Sequence, residues 1–399
     1  MRRTPRTLLA VAALTGLLAA AGCSDDGAPL PGRDLPGASS GAKSPGAGGP
    51  SGAAATEPPA APAKGSVKVV RTLAAKLTSP WGLAALPGGD LLVGSRDTGK
   101  IVRISAKDGA QSEVGTVPGV AAGGDGGEGG LLGLAVSPGF ATDRLVYAYF
   151  TTDSDNRIAR MRYDDGKPAD RRLGAPSTVF RGIPKGAVHN GGRIAFGPDR
   201  MLYAGTGESG ERGLAQDPES FGGKILRMTP DGAPAPRNPR VDSVVWSSGH
   251  RNVQGLAWDA EKRLWASEFG QNTWDELNLV VPGGNYGWPT VEGKAGKAGE
   301  QGFKDPVEQW STADASPSGL AWAKGSLWMA GLRGERLWRI PLRGAKPVAE
   351  PQAFLKGEYG RLRTVVATDD GGLWLTTSNT DGRGRPGGED DRVLRLEVS

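Results

Sequence analysis

The chain has only two histidines, His189 and His250. Imidazole has the side-chain pKa closest to neutral pH, so histidine is the usual general base. His189 stands in His189-Asn190-Gly191-Gly192-Arg193, directly before the apolar run Ile194-Ala195-Phe196. For such a residue, a satisfied structural histidine beside a glycine turn is the competing reading. A second group is cationic: Arg251 beside Asn252, then Arg333, Arg361 and Arg363. Guanidinium groups gathered at one place need anions, because isolated buried charge is costly. The partner is either a local acid or a bound carboxylate or phosphate, which the planar fork suits. The third stretch runs from Glu268 to Asn278 and holds Glu268, Asp275 and Glu276 around a flexible backbone. Carboxylate and carbonyl oxygens are what a hard cation such as Ca²⁺ takes, although the spacing is not that of an EF-hand. With one cysteine and two histidines, a zinc site has too few ligands.

Those residues are positioned by a repeat. Short apolar strands lead six units at residues 82, 133, 193, 255, 319 and 364, spaced 51, 60, 62, 64 and 45 apart; four begin Gly-Leu-Ala, the third Arg-Ile-Ala and the last Thr-Val-Val. Each lead strand is followed by a Pro/Gly/Asp turn, a second apolar strand, a polar loop and a third strand, as in Gly319-Leu320-Ala321-Trp322, Ser326-Leu327-Trp328-Met329 and Leu337-Trp338-Arg339-Ile340. Six such units predict an all-β fold, a six-bladed β-propeller with four-stranded blades. Val67 to Arg71 is the candidate strand that completes the last blade and closes the ring. In a propeller the first strand of each blade lines the channel, so the residues before it and the loop after the second strand meet at one mouth. That rule brings together Glu128, His189, Arg251, Asn252, Gln254, Arg361 and Arg363 with Arg96, Asp97, Glu208, the 268–276 loop and Arg333. The strand tryptophans are expected to pack blades. Trp274 and Trp288, in mouth loops, are the candidates for contact with a ligand.

Composition agrees with many short strands and turns: 64 Gly, 30 Pro and 11 Trp in 399 residues. The net charge of +5 arises from 48 basic and 43 acidic residues, without a basic stripe carrying interleaved aromatics, which argues against nucleic acid. Residues 1–23 read as an export signal: Arg2, Arg3 and Arg6, then the apolar stretch Leu8 to Leu18, then small residues. Cys23 follows at a lipobox-like position, where lipidation would anchor the chain on the outer face of the cell membrane; ordinary secretion is the other reading. With a single cysteine no intrachain disulfide forms. Residues 24–65, rich in Gly, Ala, Pro and Ser, read as a disordered linker, leaving 66–399 as the folded domain.

Taken together, the motifs resemble the soluble pyrroloquinoline quinone (PQQ)-dependent glucose/sorbosone dehydrogenase family, most of all its aldose sugar dehydrogenase branch. The matching pieces are Gly126-Gly127-Glu128-Gly129-Gly130, His189-Asn190-Gly191-Gly192-Arg193, Gly249-His250-Arg251-Asn252, Asp275-Glu276-Leu277-Asn278, Asn285-Tyr286-Gly287-Trp288-Pro289 and Arg361-Leu362-Arg363. The resemblance implies PQQ across the channel mouth and His189 as the base that takes the proton of the sugar's anomeric hydroxyl while hydride passes to the quinone. It implies Asp275 near His189 and the cofactor. Glu128, Arg251, Asn252, Arg333, Arg361 and Arg363 match cofactor-contacting positions. Calcium would be held by carbonyls near Gly270 and Gln271, and a second, structural calcium by Glu276 and the Tyr286 carbonyl. An aldose would be the substrate and an external acceptor would take the electrons. Three positions depart from the family pattern. Glu128 stands where Gln is common, and a carboxylate there repels an anionic cofactor unless protonated or turned away. Arg333 stands for Lys, and Gln271 for Pro. His250 is expected to buttress the Arg251 turn. Two other readings stay open: a non-catalytic propeller that binds a saccharide or a partner at the same mouth, and a calcium-dependent lactone hydrolase.

Overall fold

The computed structural model describes residues 60–123, 127–294, 296 and 302–399. The expected signal segment with Cys23, the linker up to residue 59 and Gly126 lie outside the described residues. Residues 60–65, expected to end the linker, already pack on the domain. Arg339 is fully buried and donates to the Pro62 carbonyl at 2.9 Å, while Ala61 N–H donates to Leu342 O at 3.0 Å. Burial of that guanidinium leaves acceptor demand that the incoming chain fills.

Six antiparallel sheets follow one another along the sequence. Their innermost strands are Pro80–Ala85, Leu131–Val136, Ile194–Phe196, Val253–Trp258, Pro317–Ala323 and Leu362–Ala367. Each is followed outward by its hairpin partners in chain order. In the fifth blade the outer strand is split into Lys346–Pro347 and Gln352–Phe354, both paired to Arg336–Arg343. Prolines at 347 and 351 lack the N–H that a continuous edge would use. The last blade takes its outermost strand from the other end of the chain: Val67–Ala74 pairs with Val393–Val398, with Val67 opposite Val398 and Ala74 opposite Val393. The six-bladed propeller and its closure by the N-terminal strand are thus as expected.

Buried apolar residues form six clusters, each shared by adjacent blades. One joins Leu92, Val114 and Leu131 across the first two blades; another joins Leu73, Leu83 and Leu91 to Trp374 and Val393 across the seam. A single blade leaves both faces wet; only its neighbours bury them. The tryptophans of the strands serve this packing, with Trp265 and Trp328 fully buried. Toward the channel the inner strands approach so closely that a side chain has no room at the repeat's lead glycine. A Cβ on Gly133 would lie 2.2 Å from Gly192 O, and one on Gly319 would lie 2.6 Å from Val365 N, both backbone atoms of the next blade. The inner strands together line a channel cavity of about 470 Å³, with Arg193 among its mostly apolar side chains.

Gly133→Ala should therefore lower unfolding free energy by about 1–3 kcal/mol or more in denaturant titration, through overpacking. Gly213→Ala, where a Cβ meets nothing within 4 Å, should show no such loss.

Candidate functional site

At the charged end of the channel, a cavity of about 310 Å³ is lined by Arg96, Arg333, Arg361, Arg363 and Arg383 against only two carboxylates, Glu128 and Asp381. Trp81, Gln254, Phe269 and Ser316 complete much of its wall. The lining comes from three of the loops that precede inner strands (Glu128, Ser316, Arg361), from the heads of inner strands (Trp81, Gln254, Arg363) and from loops that follow second strands, as the propeller rule requires.

His189 stands next to this cavity without lining it: its N–H donates at 2.8 Å to Glu128, which does line it. Its side chain is 18% exposed, and Nδ1 is 2.6 Å from Glu208 Oε1. A carboxylate accepts, so Nδ1 is the donor, and in the neutral ring the lone pair is then on Nε2. Nε2 has no hydrogen-bond partner among the described residues. Glu208 is almost fully buried and its second oxygen is unpartnered. Such a carboxylate fixes the ring's orientation and stabilises the imidazolium once the base has taken a proton. Glu208 is thus the carboxylate that meets the imidazole. The register of the third blade explains the meeting: Ile194 pairs with Ala204, and beyond the strand ends Ser209 N–H donates to His189 O at 3.0 Å. Counting that register outward from the sequence puts residues 189 and 209 opposite each other, which is the signal that finds Glu208.

Asp275 makes no hydrogen bond to His189. Its oxygens accept from Gly270 N–H at 2.9 Å and Ser316 N–H at 2.6 Å. It is the second residue of the strand Trp274–Val280, and its carboxylate folds back on the preceding loop. Burial pushes its pKa up to about 6 despite those two donors. Arg251 lies within electrostatic reach of Glu208, Glu128, Glu292 and Asp275. Burial lowers the Arg251 pKa, its Nε is buried without a partner, and its guanidinium lies 5.4 Å from the Trp288 ring centroid. Trp288 is 6% exposed and packed under Arg251 and Arg212, so it is a platform for these cations and not an open sugar-stacking face.

Glu128 is neither protonated nor turned away. Arg383 pairs with its Oε1 at 2.6 Å, and Oε2 accepts His189 N–H at 2.8 Å. Burial opposes ionisation, but Arg383 and the His189 amide hold the Glu128 pKa below its ordinary value. The carboxylate expected to repel an anion is thus already neutralised. Arg383 and Asp381 sit in the loop after the second strand of the sixth blade, a position the same mouth rule covers. Asp381 Oδ2 accepts from both Arg361 (2.9 Å) and Arg363 (3.0 Å). Burial would raise its pKa, but the two guanidiniums hold it well below the carboxylate range. Arg333 has no ion-pair partner among the described residues. Asn252 lies beneath the rim, where its Oδ1 accepts Gly191 N–H at 2.9 Å and so ties the His189 turn to the fourth blade. An excess of guanidinium, an unpaired Arg333 and an orphaned Arg251 Nε fit a ligand with several carboxylates.

A second acidic cluster lies behind the rim. His250 is fully buried between Glu268 Oε1 (2.7 Å) and Ser247 Oγ (2.8 Å) and stacks on Tyr286 at 4.6 Å, the buttressing role expected of it. Glu276 accepts from Gly293 N–H at 2.7 Å and Asn278 Nδ2 at 3.0 Å. Burial first, and then Glu268, push the Glu276 pKa up to about 8. Asn278 Oδ1 is buried without a donor. Two close carboxylates and an orphaned carbonyl oxygen suit a hard cation, and Tyr286 stands beside them.

The glucose/sorbosone dehydrogenase family model matches residues 77–386, and the chain belongs to that family. It is similar to a solved PQQ-bound aldose sugar dehydrogenase from Streptomyces coelicolor, 68% identical over 85% of this chain and all of the other, with a TM-score of 0.83. It is 30% identical to the aldose sugar dehydrogenase YliI of Escherichia coli over 81% of this chain and 92% of that protein. With the quinoprotein glucose dehydrogenase B of Acinetobacter calcoaceticus it shares 34% identity over 56% of this chain and 52% of that one, about half the relative's length.

The raised Glu276 pKa sets a pH dependence. Between the unfolded value of 4.5 and about 8, the folded state binds the proton that the unfolded state releases, so this group's contribution to stability falls as pH rises through that window. In chelator, Glu276→Gln should raise the thermal midpoint at pH 8 relative to pH 5 when compared with the parent. Added calcium should then stabilise the parent more than the variant.

Proposed function

We propose that this protein is a PQQ-dependent aldose sugar dehydrogenase that oxidises the anomeric carbon of an aldose to a lactone. The observation that carries the reading is the arginine-rich mouth beside a histidine whose Nδ1–H is held by a buried glutamate. Arg251, Arg333, Arg361 and Arg363, with Asn252 beneath them, are the residues that would hold the cofactor's three carboxylates. The carbonyls of Gly270 and Gln271 would hold calcium, and Glu276 with the Tyr286 carbonyl would hold the structural ion. When bound, PQQ would supply the hydride acceptor and calcium a Lewis acid beside it.

The chain's own work is proton handling and orientation. His189 Nε2 takes the proton of the anomeric hydroxyl as the C–H bond breaks and the C=O bond of the lactone forms. Glu208 keeps the imidazole in the tautomer that accepts at Nε2 and balances the imidazolium that results. Asn252 supports the turn from which His189 projects. Glu128, fixed to the His189 amide and to Arg383, links the base to the cationic wall. The proposal also includes export, anchoring through Cys23 and transfer of electrons to an external acceptor.

Purified protein supplied with PQQ and Ca²⁺ should reduce a dye in the presence of an aldose; failure across a broad aldose panel would remove the reading. His189→Gln should lower kcat by at least about 10²-fold while leaving PQQ uptake, read by absorbance, unchanged. Retained turnover would place the base elsewhere.

A further inference from the structure

One carboxylate oxygen in this fold does an unusual amount of bonding. Glu292 Oε1 accepts from four consecutive amides, those of Gln271 (2.6 Å), Asn272 (2.9 Å), Thr273 (2.9 Å) and Trp274 (3.1 Å). Successive N–H groups converging on one anion form a nest, and a charged acceptor binds such donors about twice as strongly as a neutral one. The burial of Glu292 opposes ionisation, but these four amides hold its pKa below the ordinary value.

The consequence lies on the other side of the peptide planes. In a trans peptide the carbonyl of residue i points opposite to the N–H of residue i+1. The cis bonds found, Trp288-Pro289 and Asp390-Asp391, lie outside this loop. Amides of Gln271 and Asn272 directed at Glu292 therefore turn the carbonyls of Gly270 and Gln271 away from it, both to the same side. The neighbouring Phe269 and Ser316 line the mouth cavity, so this loop borders it. The turn is too tight for a side chain at its start. A Cβ on Gly270 would lie 1.8 Å from Trp274 O and 2.7 Å from Glu292 Oε1. Glu292 is itself pinned by its neighbour, since Gly293 N–H donates to Glu276 Oε1 at 2.7 Å.

We propose that Glu292 is a positioning residue for the mouth cation: by gathering the amides of residues 271–274 it fixes the Gly270 and Gln271 carbonyls as a preorganised pair of hard-cation ligands. It acts through the backbone, not as a catalytic residue. This rests on the calcium reading of the mouth given above. Removing the anion frees the loop to rotate its peptides, and cation affinity falls while the rest of the propeller keeps its packing.

The test uses the full chain as parent, Glu292→Gln and Glu292→Ala. PQQ uptake is followed by absorbance at fixed PQQ against free Ca²⁺, and thermal midpoints are taken in chelator. Second-layer groups of this kind set metal affinity by about 10- to 100-fold. Half-saturating Ca²⁺ should therefore rise by about tenfold in Glu292→Gln and further in Glu292→Ala, with the same PQQ uptake at saturating Ca²⁺. A merely structural role would lower the chelator midpoint of both variants without moving the calcium dependence, and that result overturns the inference. Variants that match a calcium-responsive parent overturn it alone. A parent with no calcium-dependent PQQ uptake overturns the functional reading and this inference together.

Discussion

The whole arrangement depends on one pairing between chain ends. Val67–Ala74 lies against Val393–Val398, and the apolar cluster around Leu83, Trp374 and Val393 spans the seam that this pairing closes. A closed ring has no free sheet edge inside it, and closure forces the heads of six inner strands to converge. Glu128 and Arg383, separated by 255 positions in the chain, form an ion pair for that reason alone. The lead glycines follow from the same constraint, because the channel admits backbone against backbone at those points.

Convergence also concentrates charge. Arg193 and Arg363 are buried on the channel axis, 4.5 and 5.6 Å from the centroid of the Trp81 ring. Burial, and for Arg193 the neighbouring Arg363, lower their pKa values to about 9 and about 10, still well above neutral pH. Arg193 is satisfied by neutral acceptors, Gln254 O and Thr364 Oγ1, and Arg363 by Asp381. The axis thus carries cations that no equal number of carboxylates offsets. A surface built this way selects for a polyanion, and the local acids that are present serve other ends: Asp381 aligns two arginines, Glu128 ties the His189 turn to Arg383, and Glu208 serves the imidazole.

Much of this was legible in the sequence, because a repeat of apolar strands reports architecture directly and the mouth rule then selects residues by position. Glu128, Arg333, Arg361 and Arg363 line one cavity for that reason, with His189 and Arg251 close to Glu128. What the rule does not supply is pairing. Glu208 and Asp275 both stand at the mouth, and only the register of the third blade shows that Glu208 meets the imidazole. Arg383 was reachable by extending the rule to the last blade. Glu292 was not: it belongs to a long loop whose path no periodicity describes, and its role depends on four amides that carry no side-chain signature. Trp288 shows the converse limit, since an aromatic in a mouth loop is buried once two arginines stack on it.

The central claim is that the arginine-rich mouth and His189 form one redox site for PQQ and an aldose. Its most direct test is an absorbance titration of the calcium-loaded protein with PQQ, followed by addition of an aldose without an electron acceptor. The account predicts saturable uptake of one PQQ per chain and conversion of the bound quinone's spectrum to its reduced form when sugar is added. A spectrum that stays that of free PQQ, or bound PQQ that no aldose reduces, would contradict it.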